Sequence, residues 1–247
     1  MPLDRFSTQS ALYARYRTTY PPELYDWLWP QVPAWHRAWD CATGNGQVAA
    51  VLAGRFAQVE ATDLSAQQLA QAPPLPNVHY QVAQAEHAPF ADASFDLITV
   101  GQAVHWFDEP AWHREVQRVA RPGAVLAEWG YNLCRLDTPE LNRVLDQFHD
   151  ETSAPYWDAN RHHIADEYAR IPFPFADVQQ ARFDVRKHWR IADMLGYLRT
   201  WSATANYARQ HGGADMVAFV ADELTRLWGA GEREVVVPIF ARAGRLS

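Results

Sequence analysis

Lysine is almost absent from this chain. Lys187 is the only one among 22 basic residues, which face 29 acidic ones. The net charge of -7 leaves no basic surplus for a phosphate backbone, so no nucleic-acid partner is expected. Cysteine is scarce too. Cys41 lies in an apolar run and reads as a small core residue, Cys134 stands far from it, and no Cys-x-x-Cys or zinc-type Cys/His spacing exists. The ten histidines do not fill that gap, since His162 and His163 are adjacent and would diverge on a helix. No metal site is expected. No apolar run reaches the roughly 18 residues that a membrane span needs. The opening MPLDRFSTQS has no apolar signal core. The expectation is a cytoplasmic protein with no membrane partner, a monomer or homodimer. No internal repeat and no low-complexity linker breaks the chain.

Aromatic residues are abundant instead. They make up 13% of the chain, with 11 tryptophans, enough to line an apolar pocket as well as fill a core. A length of 247 residues suits one α/β domain with insertions. Pro21 and Pro22 open a helix with Leu24, Trp27 and Leu28 on one face, after a first helical piece that Ser7 or Thr8 would cap. Then strands and helices alternate. Strands are expected at 36–41, 57–62, 77–83, 95–101 and 123–129, and helices at 45–56, from 66 behind a Ser65 cap, and at 109–120. Short loops between them imply a parallel sheet covered on both faces. After residue 131 the rhythm changes. A helix opens at Thr138–Pro139–Glu140, residues 152–176 are irregular and aromatic, and strand character returns at 178–186. Helices at 191–200 and 214–228 and a last strand at 234–243 follow. Pro238 should force a bulge or a strand end there. The whole of 1–247 reads as one domain, with 1–30 and parts of 132–230 covering the sheet.

The chemistry begins at WDCATGNGQVA, residues 39–49. Gly44 and Gly46 at a strand end let the backbone approach a ligand closely, and the helix that follows turns its free N–H groups toward it. Asp63 ends the next strand, where one carboxylate can hold two ribose hydroxyls. With Ala49 the stretch also reads G-x-G-x-x-A, the dinucleotide fingerprint, so these residues alone leave two cofactor classes open. Asp40 favours the second class, because a carboxylate there would repel a pyrophosphate but suit a ligand with an amino group. A nicotinamide oxidoreductase would also want a Tyr-x-x-x-Lys pair, and Lys187 has no such partner.

DCATGNGQ at 40–47, EATDLS at 60–65, AEHAPFADASFDLI at 85–98 and ARPGAVLAEW at 120–129 resemble, in order, the motifs of the class I S-adenosylmethionine-dependent methyltransferases of the type 11 group. YARYRTTYP, QAVHWFD and YLRTWS are similar to a subgroup that includes trans-aconitate-type enzymes. The resemblance implies a Rossmann-like α/β fold, with a seven-stranded, mostly parallel sheet, one antiparallel strand near an edge, and helices on both faces. It implies S-adenosylmethionine as cofactor and a small-molecule acceptor, an organic acid carboxylate being one candidate. A cofactor-binding module without transferase activity is the alternative outside enzymology.

The resemblance also distributes roles. Asp40, Ala42, Gly44, Gly46, Asp63, Leu64, Gln84, Ala85, Glu86, Gly101 and Gln102 would surround the cofactor. His105 and Trp106, just past the fourth strand, would meet the acceptor as catalytic residues. Tyr13, Arg17 and Trp201 would reach the acceptor from the cover. Two positions depart from the family pattern. Ala42 replaces a glycine, so a negative φ is expected there, and Gln84 replaces an Asp that would accept from the adenine amino group. Each residue has a structural alternative: Asp40 as a turn partner, Asp63 as a helix cap, His105 as a backbone-bonded core histidine, and Trp106 and Trp201 as packing.

Overall fold

The computed structural model describes residue 16 and residues 19–246. Its sheet is organised by β1 (Arg37–Cys41) and by β4 (Phe95–Gly101), whose first six residues are all buried. A strand apolar on both faces needs cover on both sides. Successive side chains supply it: Leu97 enters one core cluster, while Ile98 and Val100 enter the other. β2 (Gln58–Asp63) and β3 (Val78–Val82) extend the sheet beyond β1, and β5 (Ala120–Tyr131) lies beyond β4, all five strands parallel. β5 starts three residues before the expected 123, and RPG at 121–123 sits inside it as a bulge. The register jumps from Phe95↔Ala120 to Leu97↔Val125.

Four described helices connect this half. α1 (Pro22–Leu28) starts on proline and buries Leu24, Tyr25 and Leu28, leaving Trp27 half-buried. α2 (Gln47–Ala53) and α3 (Ala66–Leu69) follow β1 and β2, and Ser65 caps α3 by accepting from the Gln68 N–H at 3.3 Å. α4 (Glu109–Val119) is capped by Asp108, which accepts from the Ala111 N–H.

The second half closes the sheet. β6 (Arg135–Leu136), β7 (Ala176–Trp189) and β8 (Arg233–Arg245) give the order β3-β2-β1-β4-β5-β8, with β6 and β7 on opposite sides of β8. Among the described residues β8 is the single strand that runs against the rest. The seven expected strands are joined by β6, which has only two residues. Pro238 corrects an expectation: β8 is continuous, and its register with β7 passes through Asp184↔Pro238 unshifted. The break falls in the neighbour. β5 ends at Tyr131 opposite Ile239, one residue before the position that would need the missing proline N–H, while the Pro238 carbonyl still accepts from the Asn132 N–H at 3.0 Å.

α5 (Pro139–Gln147), α6 (His162–Ala165), α7 (Ile191–Arg199), α8 (Ser202–Gln210) and α9 (Ala218–Trp228) complete the chain. The sequence pattern missed α8, whose SATANYARQ has no clear apolar stripe, and placed the start of α9 four residues early. The irregular stretch at 152–176 is anchored by one buried ion pair. Arg242 on β8 donates to the Glu128 carboxylate from two nitrogens, at 2.7 and 2.9 Å, and to the carbonyls of Tyr168 and Ile171. Glu128 is fully buried and its other oxygen accepts from the Trp112 indole at 3.2 Å. Removing one partner strands the other charge in the core. Arg242→Met should therefore destabilise the protein by about 3–5 kcal/mol, read as a lower urea midpoint; an unchanged midpoint would show that the pair contributes nothing to this anchor.

Candidate active site

The loop between β1 and α2 carries three left-handed residues: Ala42 at φ 54°, Gly44 at 58° and Gly46 at 79°. Such a turn points backbone N–H groups into one concavity. Gly46 has a second reason to be glycine. A Cβ there would lie 2.9 Å from the Tyr80 hydroxyl and 3.0 Å from the Ala72 methyl. Ala42 contradicts the expected negative φ. The loop is closed so tightly that alanine is held in a conformation where L-residues lose about 1–2 kcal/mol.

Asp40 holds this loop. Its buried carboxylate accepts from the Thr43 hydroxyl at 2.5 Å, the Ala49 N–H at 3.1 Å and the Thr99 hydroxyl at 2.9 Å. These bonds join the loop, α2 and β4. Burial pushes the Asp40 pKa up to about 7 against the pull of the three donors, with a smaller push from Asp63. Asp63, half-buried at the end of β2, accepts from the Gly44 N–H at 2.9 Å and the Ser65 N–H at 2.8 Å. The helix cap itself is Ser65, so Asp63 braces the glycine loop and the strand end rather than capping α3. Leu64 beside it is 42% exposed, an apolar side chain left open at the strand end.

A cavity of about 470 Å³, its open mouth included, lies against this loop. Asp40, Ala42, Gly44 and Gly101 line it, with Tyr20 and Tyr131 opposite. A side chain at Gly101 would crowd its neighbours, because a Cβ would lie 3.0 Å from the Tyr20 hydroxyl and 3.1 Å from the Trp129 indole nitrogen. Of the remaining candidates, Ala85 is buried and Gln84 is exposed, its backbone bridged to His87. Glu86 accepts from the Asp108 N–H at 2.9 Å and thus supports the start of α4. Gln102, at φ 58°, is bonded both ways to the Tyr131 backbone, accepting from N–H at 2.7 Å and donating to C=O at 3.3 Å.

A second cavity, about 580 Å³ with its mouth, adjoins the first: Tyr131 lines both, and Gly101 and its neighbour Gln102 line one each. Its walls include His105, Trp106, Trp157, Arg161, Tyr197 and Trp201. His105 is buried, and its Nδ1 lies 3.3 Å from the Tyr168 hydroxyl. Burial, aided by Arg161 and His163, pushes its pKa down to about 3. A base that weak removes few protons at neutral pH. Trp106 is half-buried, with its ring centroid 4.9 Å from that of His105. Trp201 is buried against Trp157 at 5.4 Å and Phe148 at 5.7 Å. Tyr13 and Arg17 lie outside the described residues.

The sequence pattern missed Trp157, Arg161 and Tyr197. Arg161 brings a cation into an aromatic wall, its guanidinium carbon 5.1 Å from the Trp157 ring centroid. The only signal was its place in WDANRHHI, an aromatic stretch without periodicity. Among the described residues no group of three or more His, Cys, Asp or Glu side chains could hold a metal ion. No described helix is long and apolar enough to cross a membrane.

A glycine loop between the first strand and helix, an acid closing the second strand, and one antiparallel strand beside the fifth are the marks of one family. Residues 39–127 match the methyltransferase domain. A Dictyostelium discoideum protein bearing a methyltransferase name is 30% identical over 91% of this chain and 86% of its own. The chain belongs to the class I S-adenosylmethionine-dependent methyltransferases. A solved structure from Anaeromyxobacter dehalogenans, described as a type II methyltransferase, superimposes with a TM-score of 0.83 at 39% identity, over 93% of this chain and 98% of that one. The malonyl-[acyl-carrier protein] O-methyltransferase of Enterobacter lignolyticus is similar over a shorter stretch, 38% identical across 41% of this methyltransferase and 42% of its own chain.

Two outcomes follow for the loop. Ala42→Gly should relieve the left-handed strain, offset in part by the freer unfolded chain, for a net gain of about 0.5–1 kcal/mol, or roughly 2 °C in Tm. A lower Tm would mean that the alanine methyl makes packing worth more than the strain. For Asp40 the folded pKa lies above the unfolded value, so the native state holds a proton that the unfolded state has released. Stability from this group is then greatest below the unfolded pKa and falls as pH rises toward about 7. The amide introduced by Asp40→Asn cannot titrate. The stability of wild type relative to that variant should therefore drop by roughly 1 kcal/mol per pH unit between pH 5 and 7 and level off above. Urea titrations of both proteins measure it, and a pH-independent difference would refute the shift.

Proposed function

We propose that this methyltransferase binds S-adenosylmethionine against the Asp40–Gly46 loop and methylates a carboxylate oxygen of a small organic acid held in the adjoining cavity. The residues fit the cofactor. Gly44 and Gly46 open the loop, Asp63 at the end of β2 would hold the ribose hydroxyls, and exposed Leu64 offers an apolar wall. Ala85 beside Gln84 and Glu86 would border the adenine, and Gly101 leaves room for the methionine end. When bound, the cofactor supplies an activated methyl on a positively charged sulfur.

The observation that carries the acceptor class is the content of the second cavity. Among the described residues that line it there is one cation, Arg161, an aromatic wall, and no usable base. A phenol or amine arriving protonated would need a base; a carboxylate is already a nucleophile. Arg161 would bind the acid through a planar fork matched to it. Trp106, Trp157 and Trp201 would exclude water and restrict the acceptor to orientations in line with the transfer. His105 would orient the acid without removing a proton. The malonyl-group O-methyltransferase relationship supports the same class. Helices α7 and α8 and the turns at 154–161 would act as the cover of this site within one domain.

Calorimetry should show S-adenosylhomocysteine binding and no NADH binding; tight NADH binding alone would sink the assignment. Asp63→Ala should weaken S-adenosylhomocysteine by about 10- to 100-fold, the loss of charge-assisted hydrogen bonds worth about 1.5–3 kcal/mol. A radiolabelled-cofactor screen of small acids, phenols and amines should label an acid. With that acid, Arg161→Ala should raise KM at least tenfold and leave S-adenosylhomocysteine affinity unchanged. Labelling of phenols or amines but no acid would overturn the acceptor class.

A further inference from the structure

Tyr168 lies in the irregular stretch at 152–176, outside the motifs that carry the family resemblance, yet its hydroxyl is the partner of the buried histidine in the acceptor cavity. The side chain is fully buried, and burial together with Glu128 holds its pKa well above that of an ordinary tyrosine. The hydroxyl therefore keeps its proton. His105 is neutral, so one ring nitrogen carries a proton and the other accepts. Two arrangements of the bond are available. If Nδ1–H donated to the tyrosine oxygen, the tyrosine O–H would be a buried donor without an acceptor, an expensive arrangement. If Tyr168 donates to Nδ1, both groups are satisfied and the imidazole proton sits on Nε2. The ring nitrogen not bonded to Tyr168 then becomes a donor on a side chain that lines the acceptor cavity.

The fold holds Tyr168 in place at some expense. Glu167 and Tyr168 are both left-handed, at φ 54° and 63°, a conformation that non-glycine residues adopt only when their surroundings impose it. Arg242 imposes it. Its guanidinium, paired with Glu128, donates to the Tyr168 carbonyl at 3.1 Å and lies 5.7 Å from the ring centroid. Phe240 on the same strand packs edge-on against that ring at 4.9 Å. On the other side, Asn160 donates to the His105 carbonyl at 2.7 Å and fixes the turn that carries the imidazole. The charges of Arg161 and His163 oppose a second proton on the imidazole.

We propose that Tyr168 is a positioning residue that locks His105 as a neutral Nε2–H donor toward the oxygen of the methyl acceptor, with the Glu128–Arg242 pair holding Tyr168 in register. This rests on the methyl-transfer reading of the cavity and adds how the acceptor is held there. It makes the histidine a hydrogen-bond donor to an anion, together with Arg161, rather than an acid or base.

The first test needs no acceptor. Nitrogen NMR of histidine-labelled protein saturated with S-adenosylhomocysteine should show His105 with an unprotonated Nδ1 and a protonated Nε2 throughout pH 5–8. In Tyr168→Phe that signal should move toward a tautomer mixture or gain charge, with S-adenosylhomocysteine affinity retained. A protonated Nδ1 in wild type, or an identical spectrum in Tyr168→Phe, overturns the proposal while leaving the cofactor assignment standing. Absence of S-adenosylhomocysteine binding in wild type would instead fail the underlying function. The second test uses the acid turned over by wild type. Tyr168→Phe should lower kcat about tenfold in the wild-type background but less than about twofold in His105→Gln, whose amide donor does not depend on the tyrosine. An equal loss in both backgrounds would make Tyr168 merely structural and overturn the proposal.

Discussion

One buried carboxylate joins the parts on which the cofactor side of the site depends. Asp40 lies near the end of β1, yet its three bonds go to the loop, to the second residue past the start of α2 and to β4. Strand spacing puts Thr99 directly beside it, since Asp40 pairs with Thr99 across the β1–β4 ladder. The loop then has little freedom. With Thr43 pulled back to Asp40 and its N–H bonded to Thr62, residues 42, 44 and 46 take the left-handed turns that remain. Gly44 delivers its N–H to Asp63, so the first two strands present one continuous polar rim. Burial works against the charge that these bonds favour, and the raised pKa of Asp40 is the sign of that conflict.

The acceptor side is built on a different principle. It rests on the second half of the chain, where regular periodicity fades and side chains do the holding. Arg242 and Glu128 hold the stretch at 168–171 against β8 and β5. Gln102 fastens the end of β4 to β5 through both of its amide atoms. Trp157, Trp201 and Phe148 stack into a wall that needs no repeating element to form. Because Tyr131 and the Gly101–Gln102 pair form the boundary between the two cavities, the end of β4 is the place where the two halves of the site meet.

The sheet was legible wherever one face or both faces of an element had to be apolar. FDLITVG could only be a doubly covered strand, and Pro21–Pro22 and Ser65 marked helix starts through their backbone chemistry. Legibility ended where a partner distant in sequence supplies the reason for a conformation. Ala42 takes its positive φ in a loop whose bonds run to Thr62 and Thr99, both distant in sequence. Pro238 looked disruptive because its own strand was considered without the neighbour that stops beside it. α8 went unseen because its burial rests on few side chains, Ala203 and Thr204 among them.

By itself the sequence determined the alternation of strands and helices, the glycine loop and the acid after the second strand, and the ordered motifs, through their resemblance to a family, set the cofactor class to expect. Those features are local, and backbone geometry demands particular residues within a few positions of one another. Only the tertiary structure decided that Arg161 lines the acceptor cavity, that His105 is buried into neutrality, and that Tyr168 is its partner. His105 and Tyr168 are 63 residues apart, and Glu128 and Arg242 are 114 apart. Hydrogen bonds of that kind follow from packing, and packing is set by the whole sheet and not by any stretch of the chain.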